Sequence, residues 1–188
     1  DARDDNAALS GSAHARALSA CGCDVRLLRT AADLFNLGNL GKLRKLRGLV
    51  LPGGESSTQL CLLRRLELWE PLHELVRSGR PVLATCAGLI LLANRVLDPV
   101  QDSLGALDVT VRRNGYGSQV DSFAARSDDG QRPLLFIRAP RVVATGASVE
   151  VLARLRGEPV LVRQGNITAA TYHPELTDDL SLHRELFA

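Results

Sequence analysis

The most informative segment of the chain is PVLATCAGLILLA, residues 81–93, in which a short apolar run meets a cysteine and then an apolar segment of helical character. Pro81 opens a predicted buried strand, and the residues from Gly88 to Val96 are predicted as the helix that follows it. Cys86 lies at the junction, where the small residues Ala84 and Ala87 keep the turn free of bulky side chains. This arrangement is typical of a nucleophile elbow, a strand-to-helix turn that holds a reactive side chain above the carboxyl edge of a parallel sheet.

The chemistry of this turn favours a reactive Cys86. Unpaired N–H groups at a helix N-terminus favour the thiolate over the thiol, and the thiolate is the nucleophilic form. The alternative is a buried cysteine that acts as a small hydrophobic residue, which is the commoner role of an isolated cysteine. We predict a nucleophile because the partners described below fit one.

Length and composition indicate one globular domain, residues 1–188. The chain has 188 residues, of which 45% are hydrophobic, and this is enough for one sizeable core. Its net charge of +2 comes from interspersed acidic and basic residues, which leaves no electrostatic footprint for nucleic acid. No apolar run approaches the ~20 residues that span a bilayer, and no charged-then-apolar leader opens the chain. We therefore expect a soluble cytoplasmic protein that binds neither nucleic acid nor membrane.

The cysteines indicate neither a disulfide framework nor a metal site. They are Cys21, Cys23, Cys61 and Cys86. The Cys21-Gly22-Cys23 segment lacks the second pair of ligands that a zinc site needs. We expect no metal and no other cofactor.

A second functional loop is predicted after the short apolar run from Gly48 to Leu51. It is PGGESS, residues 52–57, and a helical pattern resumes from Thr58 to Leu68. Gly53 and Gly54 can adopt positive φ, which lets backbone N–H groups point at an anion or a developing oxyanion. The alternative is an ordinary strand-to-helix turn, in which one of the serines caps the helix.

Further helices and strands extend an alternating pattern. A helix over Pro71–Ser78 precedes the elbow strand, so that strands and helices alternate as in a parallel sheet covered on both faces. Near the N-terminus, a helix is predicted over Ala13–Cys21, with Ser10 or Ser12 as its cap, and a strand over Cys23–Leu28.

The C-terminal half of the chain is predicted to be rich in strands. The predicted strands are Ala106–Val111, Ser118–Ala125, Leu134–Arg138, Val149–Ala153, Pro159–Arg163 and Asn166–Tyr172. A last helix is predicted from Thr177 to Phe187. His14 and His183, in the first and last helices, are predicted at the surface.

His173 and Glu175 form the second part of the candidate site. They follow the last predicted strand, where the two-residue alternation of an extended segment would place both side chains on the same side. The carboxylate could then orient or polarise the imidazole. A histidine beside an acid is common by chance, but together with Cys86 the pair supplies a nucleophile, a base and an orienting acid, as in a cysteine-type catalytic triad.

These residues belong to a set of motifs that resembles a known family. The chain is similar to the triad glutamine amidotransferases, and more narrowly to the glutaminase subunits of pyridoxal phosphate synthase. The motifs that carry the resemblance are LPGGESS (51–57), TCAGLI (85–90), DVTVRRN (108–114), FIRAP (136–140) and HPEL (173–176). They occur in the family's order from about residue 49 to the C-terminus. The N-terminal segment departs from the family pattern, since Ser10 stands where the family has a glutamine.

The resemblance implies a fold, an activity and roles for individual residues. The implied fold is a single three-layer α/β domain with a central, mostly parallel sheet of the flavodoxin-like type. Cys86 would attack the side-chain amide of L-glutamine, His173 would protonate the departing ammonia, and Glu175 would orient His173. The implied glutamine site consists of Gly53, Gly54, Glu55, Arg113, Ile137 and Arg138, and the implied oxyanion donors are the backbone N–H groups of Gly54 and Ala87. The ammonia would pass to a separate synthase subunit that assembles pyridoxal 5'-phosphate.

Two other classes of function stay open. A catalytically silent relative would keep the fold, serve as a binding or regulatory subunit, and release no ammonia from glutamine even with its partner present. A different cysteine hydrolase on the same sheet, such as a small peptidase or deglycase, would not need the glutamine-site arginines. It would also be indifferent to an alkylating analogue of glutamine.

Overall fold

A five-stranded mixed sheet forms the centre of the structure, a computed structural model that describes residues 4–30, 33, 46–115 and 122–188. The strands are β1 (Leu49–Leu51), β2 (Val82–Thr85), β3 (Ala93–Leu97), β4 (Leu107–Arg112), β5 (Phe123–Arg126), β6 (Pro133–Phe136), β7 (Arg141–Thr145), β8 (Glu150–Leu155), β9 (Glu158–Gln164) and β10 (Ile167–Ala170). The helices are α1 (Asp4–Ala20), α2 (Ser56–Arg65), α3 (Trp69–Arg77), α4 (Ala87–Leu92) and α5 (Ser181–Phe187).

The central sheet has the order β1-β2-β10-β9-β8. Strands β1, β2 and β10 are parallel to one another, whereas β9 and β8 continue the sheet in antiparallel fashion. In register, Leu51 faces Ala84 and Ala170 faces Thr85. Because parallel strands end at the same edge of a sheet, the loops after β1, β2 and β10 come together there. This edge carries the candidate site.

Helices cover both faces of the central sheet, which confirms the predicted α/β architecture. Successive residues of β2 point to opposite faces, as the pleat of a strand requires: Val82 and Ala84 belong to one apolar cluster and Leu83 to the other. The first cluster includes residues of α3 and α4, and the second includes residues of α5. The buried strand therefore carries apolar residues on both sides, and its sequence does not alternate between apolar and polar.

Two smaller sheets pack beside the central one. Strands β3, β4 and β7 form a three-stranded sheet, in which β3 and β4 are parallel and β7 is antiparallel to β4. Strands β5 and β6 form a hairpin. The hairpin leads directly into Ile137 and Arg138, so it positions one wall of the candidate site.

The N-terminal segment differs from the prediction. Helix α1 begins at Asp4, so Ser10 lies within a helix instead of acting as an N-cap or lying in a loop. Alanine is the strongest helix former, and the alanine-rich sequence continues the helix through Gly11. The strand predicted over Cys23–Leu28 is also wrong, because this segment pairs with no strand in the part of the chain that the structure describes.

The segment after Cys86 differs as well. The helix predicted to reach Val96 ends at Leu92, and Ala93 begins β3. A buried apolar run does not reveal by periodicity alone where a helix gives way to a strand. Strand β7 was not predicted, and the start of the strand predicted over Ser118–Ala125 lies outside the described residues.

None of the helices described is both long enough and apolar enough to cross a bilayer.

Candidate active site

Cys86 occupies a strained turn between β2 and α4. Its backbone has φ 49° and ψ −102°, and its N–H donates to the carbonyl of Ala170 at 2.9 Å. Positive φ is uncommon for residues other than glycine, and such strain recurs at functional sites. The hydrogen bond ties the turn to β10, which leads to His173. The elbow geometry predicted from the sequence is present.

His173 and Glu175 follow β10 at the same edge of the sheet. The backbone N–H of His173 donates to the Leu135 carbonyl at 2.8 Å, which fixes this segment to β6. The Nδ1 atom of His173 lies 2.8 Å from Oε1 of Glu175, and both side chains are fully buried. Glu175 lies in a single 3₁₀ turn, Pro174–Leu176, so the extended segment predicted from the sequence is wrong although the pairing occurs.

The charge state of His173 depends on its two neighbours. Burial lowers the pKa of His173, but hydrogen bonding and charge attraction to Cys86 and Glu175 outweigh burial and raise it to about 10. In the part of the chain described, no nitrogen or oxygen atom forms a hydrogen bond with the Nε2 atom of His173. A protonated His173 beside Cys86 can therefore act as a proton donor to a group that reacts at the sulfur, as the histidine of a cysteine hydrolase does.

The Gly53–Gly54 loop lies beside the elbow. Gly54 has φ 140°, and the side-chain amide of Gln59 donates to the carbonyl of Gly53 at 3.0 Å. A Cβ atom placed on Gly88 would lie 2.2 Å from the Leu51 carbonyl oxygen, so the start of α4 packs directly against the end of β1. Gly54 and Ala87, the suggested oxyanion donors, thus lie on adjacent turns at one edge of the sheet.

Glu55 acts as the N-cap of α2. Its carboxylate accepts from the backbone N–H groups of Ser57 at 3.1 Å and Thr58 at 2.6 Å. It also pairs with Arg113 at 2.7 Å. Burial raises the pKa of Glu55, but these bonds and the arginine outweigh burial and lower it overall. The alternative reading of this loop placed the cap at Ser56 or Ser57, whereas the carboxylate of Glu55 takes this position and satisfies two N–H groups at once.

Ile137 and Arg138 follow β6, and Ile137 borders the nucleophile. The Cys86 sulfur lies 3.9 Å from the Ile137 carbonyl oxygen. Arg138 has φ 47°, a strained conformation for a residue with a side chain. The structure therefore brings Ile137 to Cys86 and Arg113 to Glu55.

Two histidines close to Glu175 are buried, contrary to the prediction. His14 and His183, expected at the surface, are 2% and 0% exposed, and Thr85 is buried as well. His14 shares a helix face with Ala13 and Ala17, and His183 adjoins Leu182, so the apolar stripes of both helices carried the signal for burial.

The remaining cysteines form no disulfides: Cys21 and Cys23 are partly exposed and Cys61 is exposed. Among the residues described, no grouping of three or more His, Cys, Asp or Glu side chains could hold a metal ion.

Comparison with known proteins gives consistent matches. The chain is 55% identical over 142 residues, 73% of its length and 76% of the relative's, to the pyridoxal 5'-phosphate synthase subunit PdxT of Thermotoga neapolitana. It is 48% identical over 178 residues to the protein of the same name from a Parafrankia species, with 91% and 83% of the two chains covered.

A solved structure titled as a glutamine amidotransferase superposes with a TM-score of 0.81 at 39% identity, covering 95% of this chain and 94% of that one. The model of the SNO glutamine amidotransferase family matches residues 8–188. The match spans the elbow, the Gly53–Gly54 loop and the His173–Glu175 pair, so the chain belongs to the SNO glutamine amidotransferase family.

Proposed function

We propose that this chain hydrolyses L-glutamine to glutamate and ammonia, and that the ammonia passes to the synthase subunit of a pyridoxal 5'-phosphate synthase. The observation that carries the proposal is Cys86 in a strained elbow beside a buried His173–Glu175 pair. The family match and the PdxT relatives supply the substrate and the partner. We also propose a cytoplasmic location, since all four cysteines are free, as is usual in a reducing compartment.

The first half of the proposed reaction forms a thioester. The Cys86 thiolate attacks the side-chain amide carbon of glutamine, and the amide oxygen becomes an oxyanion. Backbone N–H groups of Gly54 and Ala87 stabilise this charge, and loss of one such donor typically costs ~100- to 1000-fold in rate. The Nε2–H of His173 then protonates the amide nitrogen, the C–N bond breaks, and ammonia leaves.

The second half releases glutamate. His173, now neutral, takes a proton from water, and the resulting hydroxide attacks the thioester carbon. The C–S bond breaks, so that glutamate leaves and the Cys86 thiolate returns beside a protonated His173. Glu175 keeps the Nδ1 side of the ring occupied, so that Nε2 faces the reacting atoms in both halves.

The glutamine site is proposed at Gly53, Gly54, Glu55, Arg113, Ile137 and Arg138. Arg113 pairs with Glu55, and Glu55 also caps α2. The two side chains therefore form a rigid wall that can present charge to the α-amino and α-carboxyl groups of the substrate.

The proposal is tested by measuring ammonia release from glutamine with and without the synthase subunit. Because glycine adopts both signs of φ at little cost, the Gly53–Gly54 peptide can alternate between presenting and withdrawing an oxyanion donor. We expect weak hydrolysis by the chain alone and marked stimulation by the synthase, which prevents wasteful release of ammonia. Equal rates in the two states would contradict this coupling, and no ammonia in either state would favour a silent binding subunit.

A further inference from the structure

A buried polar cluster lies behind the His173–Glu175 pair and has no part in the reaction steps above. It joins three elements: His14 of α1, Thr85 at the end of β2 and His183 of α5. The Nε2 atom of His14 lies 3.2 Å from Oε2 of Glu175 and 3.0 Å from the Thr85 hydroxyl. Its Nδ1 atom lies 3.0 Å from Nε2 of His183. His14 therefore contacts the carboxylate oxygen that does not contact His173.

The charges around His14 determine its tautomer. Burial lowers the pKa of His14, Glu175 opposes this shift, and the neighbouring His183 and His173 add to it, so that the pKa is about 4. A neutral imidazole carries one N–H. An ionised carboxylate attracts an N–H group and repels a ring lone pair, so the proton belongs on Nε2, which donates to the Thr85 hydroxyl oxygen and lies 3.2 Å from Oε2 of Glu175. The contact with Oε2 is a close electrostatic approach and not an aligned hydrogen bond. The Nδ1 atom then accepts from the Nε2–H of His183.

This tautomer holds Glu175 at both oxygens. Oε1 is engaged with His173 at 2.8 Å and Oε2 with His14 at 3.2 Å, so the carboxylate cannot rotate without losing a buried contact. Loss of an N–H dipole beside a buried carboxylate is costly, because no water replaces it. His14 thus holds the Glu175 carboxylate in place, and this carboxylate in turn orients the His173 ring.

We propose that His14 is a positioning residue that acts through Glu175 to hold His173 in its productive orientation. The inference rests on the proposed function for its catalytic consequence, but the contact itself predicts an effect on Cys86 reactivity that needs no glutamine. Without the His14 donor, Glu175 either turns away from His173 or takes up a proton. Both changes weaken the imidazolium of His173 and therefore its pair with the Cys86 thiolate.

Two amide substitutions test the contributions of the two ring nitrogens of His14 separately. In His14→Gln the side-chain amide reaches the position of Nε2 and keeps an N–H group beside Glu175 and the Thr85 hydroxyl. In His14→Asn the amide reaches only the position of Nδ1, so it keeps a partner for His183 and loses the donor. His73, a partly exposed histidine on α3, supplies the matched control His73→Asn.

The first measurement is the pH profile of Cys86 alkylation by iodoacetamide, with the site mapped by mass spectrometry. The groups that face His14 are Glu175, His173, His183 and the Thr85 hydroxyl, and Asp179 acts on His183. We expect the acid limb of the profile to move up by roughly one pH unit in His14→Asn. It should stay in place in His14→Gln and in His73→Asn.

The second measurement is glutamine turnover with the synthase subunit present. We expect kcat to fall roughly 10- to 100-fold in His14→Asn with KM unchanged, as for other residues that orient a functional group. His14→Gln should retain most of the activity. Equal behaviour of the two variants in the alkylation profile would overturn the proposal. A wild-type chain that releases no ammonia would refute the proposed function instead, while the alkylation profiles would still decide the role of His14.

Discussion

Replacing Cys86 with alanine is expected to reduce glutamine hydrolysis at least ~10⁴-fold, because no other atom in the site can form the thioester. His173→Asn should cause a loss of similar size, since the ring both protonates the leaving ammonia and activates the water. The two losses should not add: the double variant should be no slower than Cys86→Ala, because the residues of a triad act as one unit. The rate of ammonia release in the presence of the synthase subunit is measured for all three variants.

The matched control is Cys61→Ala, on the exposed surface of α2. It should keep full activity. Thermal unfolding of Cys86→Ala should resemble that of the wild-type chain, because the substitution removes one small buried group. Turnover that survives in Cys86→Ala, or a double variant that is much slower than either single one, would contradict the triad.

Gly88→Ala is expected to destabilise the fold and to abolish most activity. The added Cβ would lie 2.2 Å from the carbonyl oxygen and 2.8 Å from the carbonyl carbon of Leu51, and backbone atoms of a paired strand cannot move aside cheaply. Overpacking of this kind typically costs about 1–3 kcal/mol. Relief of the clash would shift the start of α4, and with it Cys86, away from the oxyanion donors. Denaturant unfolding measures the loss of stability, and the rate of ammonia release measures the loss of activity.

Gly11→Ala provides the control for Gly88→Ala. Gly11 lies inside α1 and has open space where a Cβ would be added, so the substitution should stabilise the helix by up to about 1 kcal/mol and leave turnover unchanged. A Gly88→Ala protein that is as stable and as active as the Gly11→Ala protein would contradict the close packing of α4 against β1.

The sequence predicted the ends of strands β1 and β2 and the turn at Cys86 because these signals are local. Short apolar runs end in small residues at Cys86 and at Gly53–Gly54, and these patterns mark buried parallel strands and tight turns. The contact of His173 with Glu175 was also expected, but from an extended segment, whereas Pro174 begins a turn. The distance between the two residues in sequence is so short that either conformation allows the contact.

The features that the sequence did not predict depend on tertiary packing. Helix α4 ends at Leu92 because Ala93 joins β4, and a uniformly apolar run carries no marker for that change. His14 and His183 are buried because α1 and α5 meet behind Glu175, although the residues are far apart in sequence. A histidine on a helix does not reveal by itself whether it faces water or a buried carboxylate.

The most direct test of the mechanism is reaction with an electrophilic ketone analogue of glutamine, followed by peptide mapping. Cys86 lies in the strained elbow and is the cysteine that raises the pKa of His173, whereas Cys21 and Cys23 are partly exposed and Cys61 is exposed. We predict that the label appears on Cys86 alone, that excess glutamine slows the labelling, and that His173→Asn suppresses it. Labelling of another cysteine, or labelling of Cys86 that glutamine does not slow, would contradict a glutaminase site at this elbow.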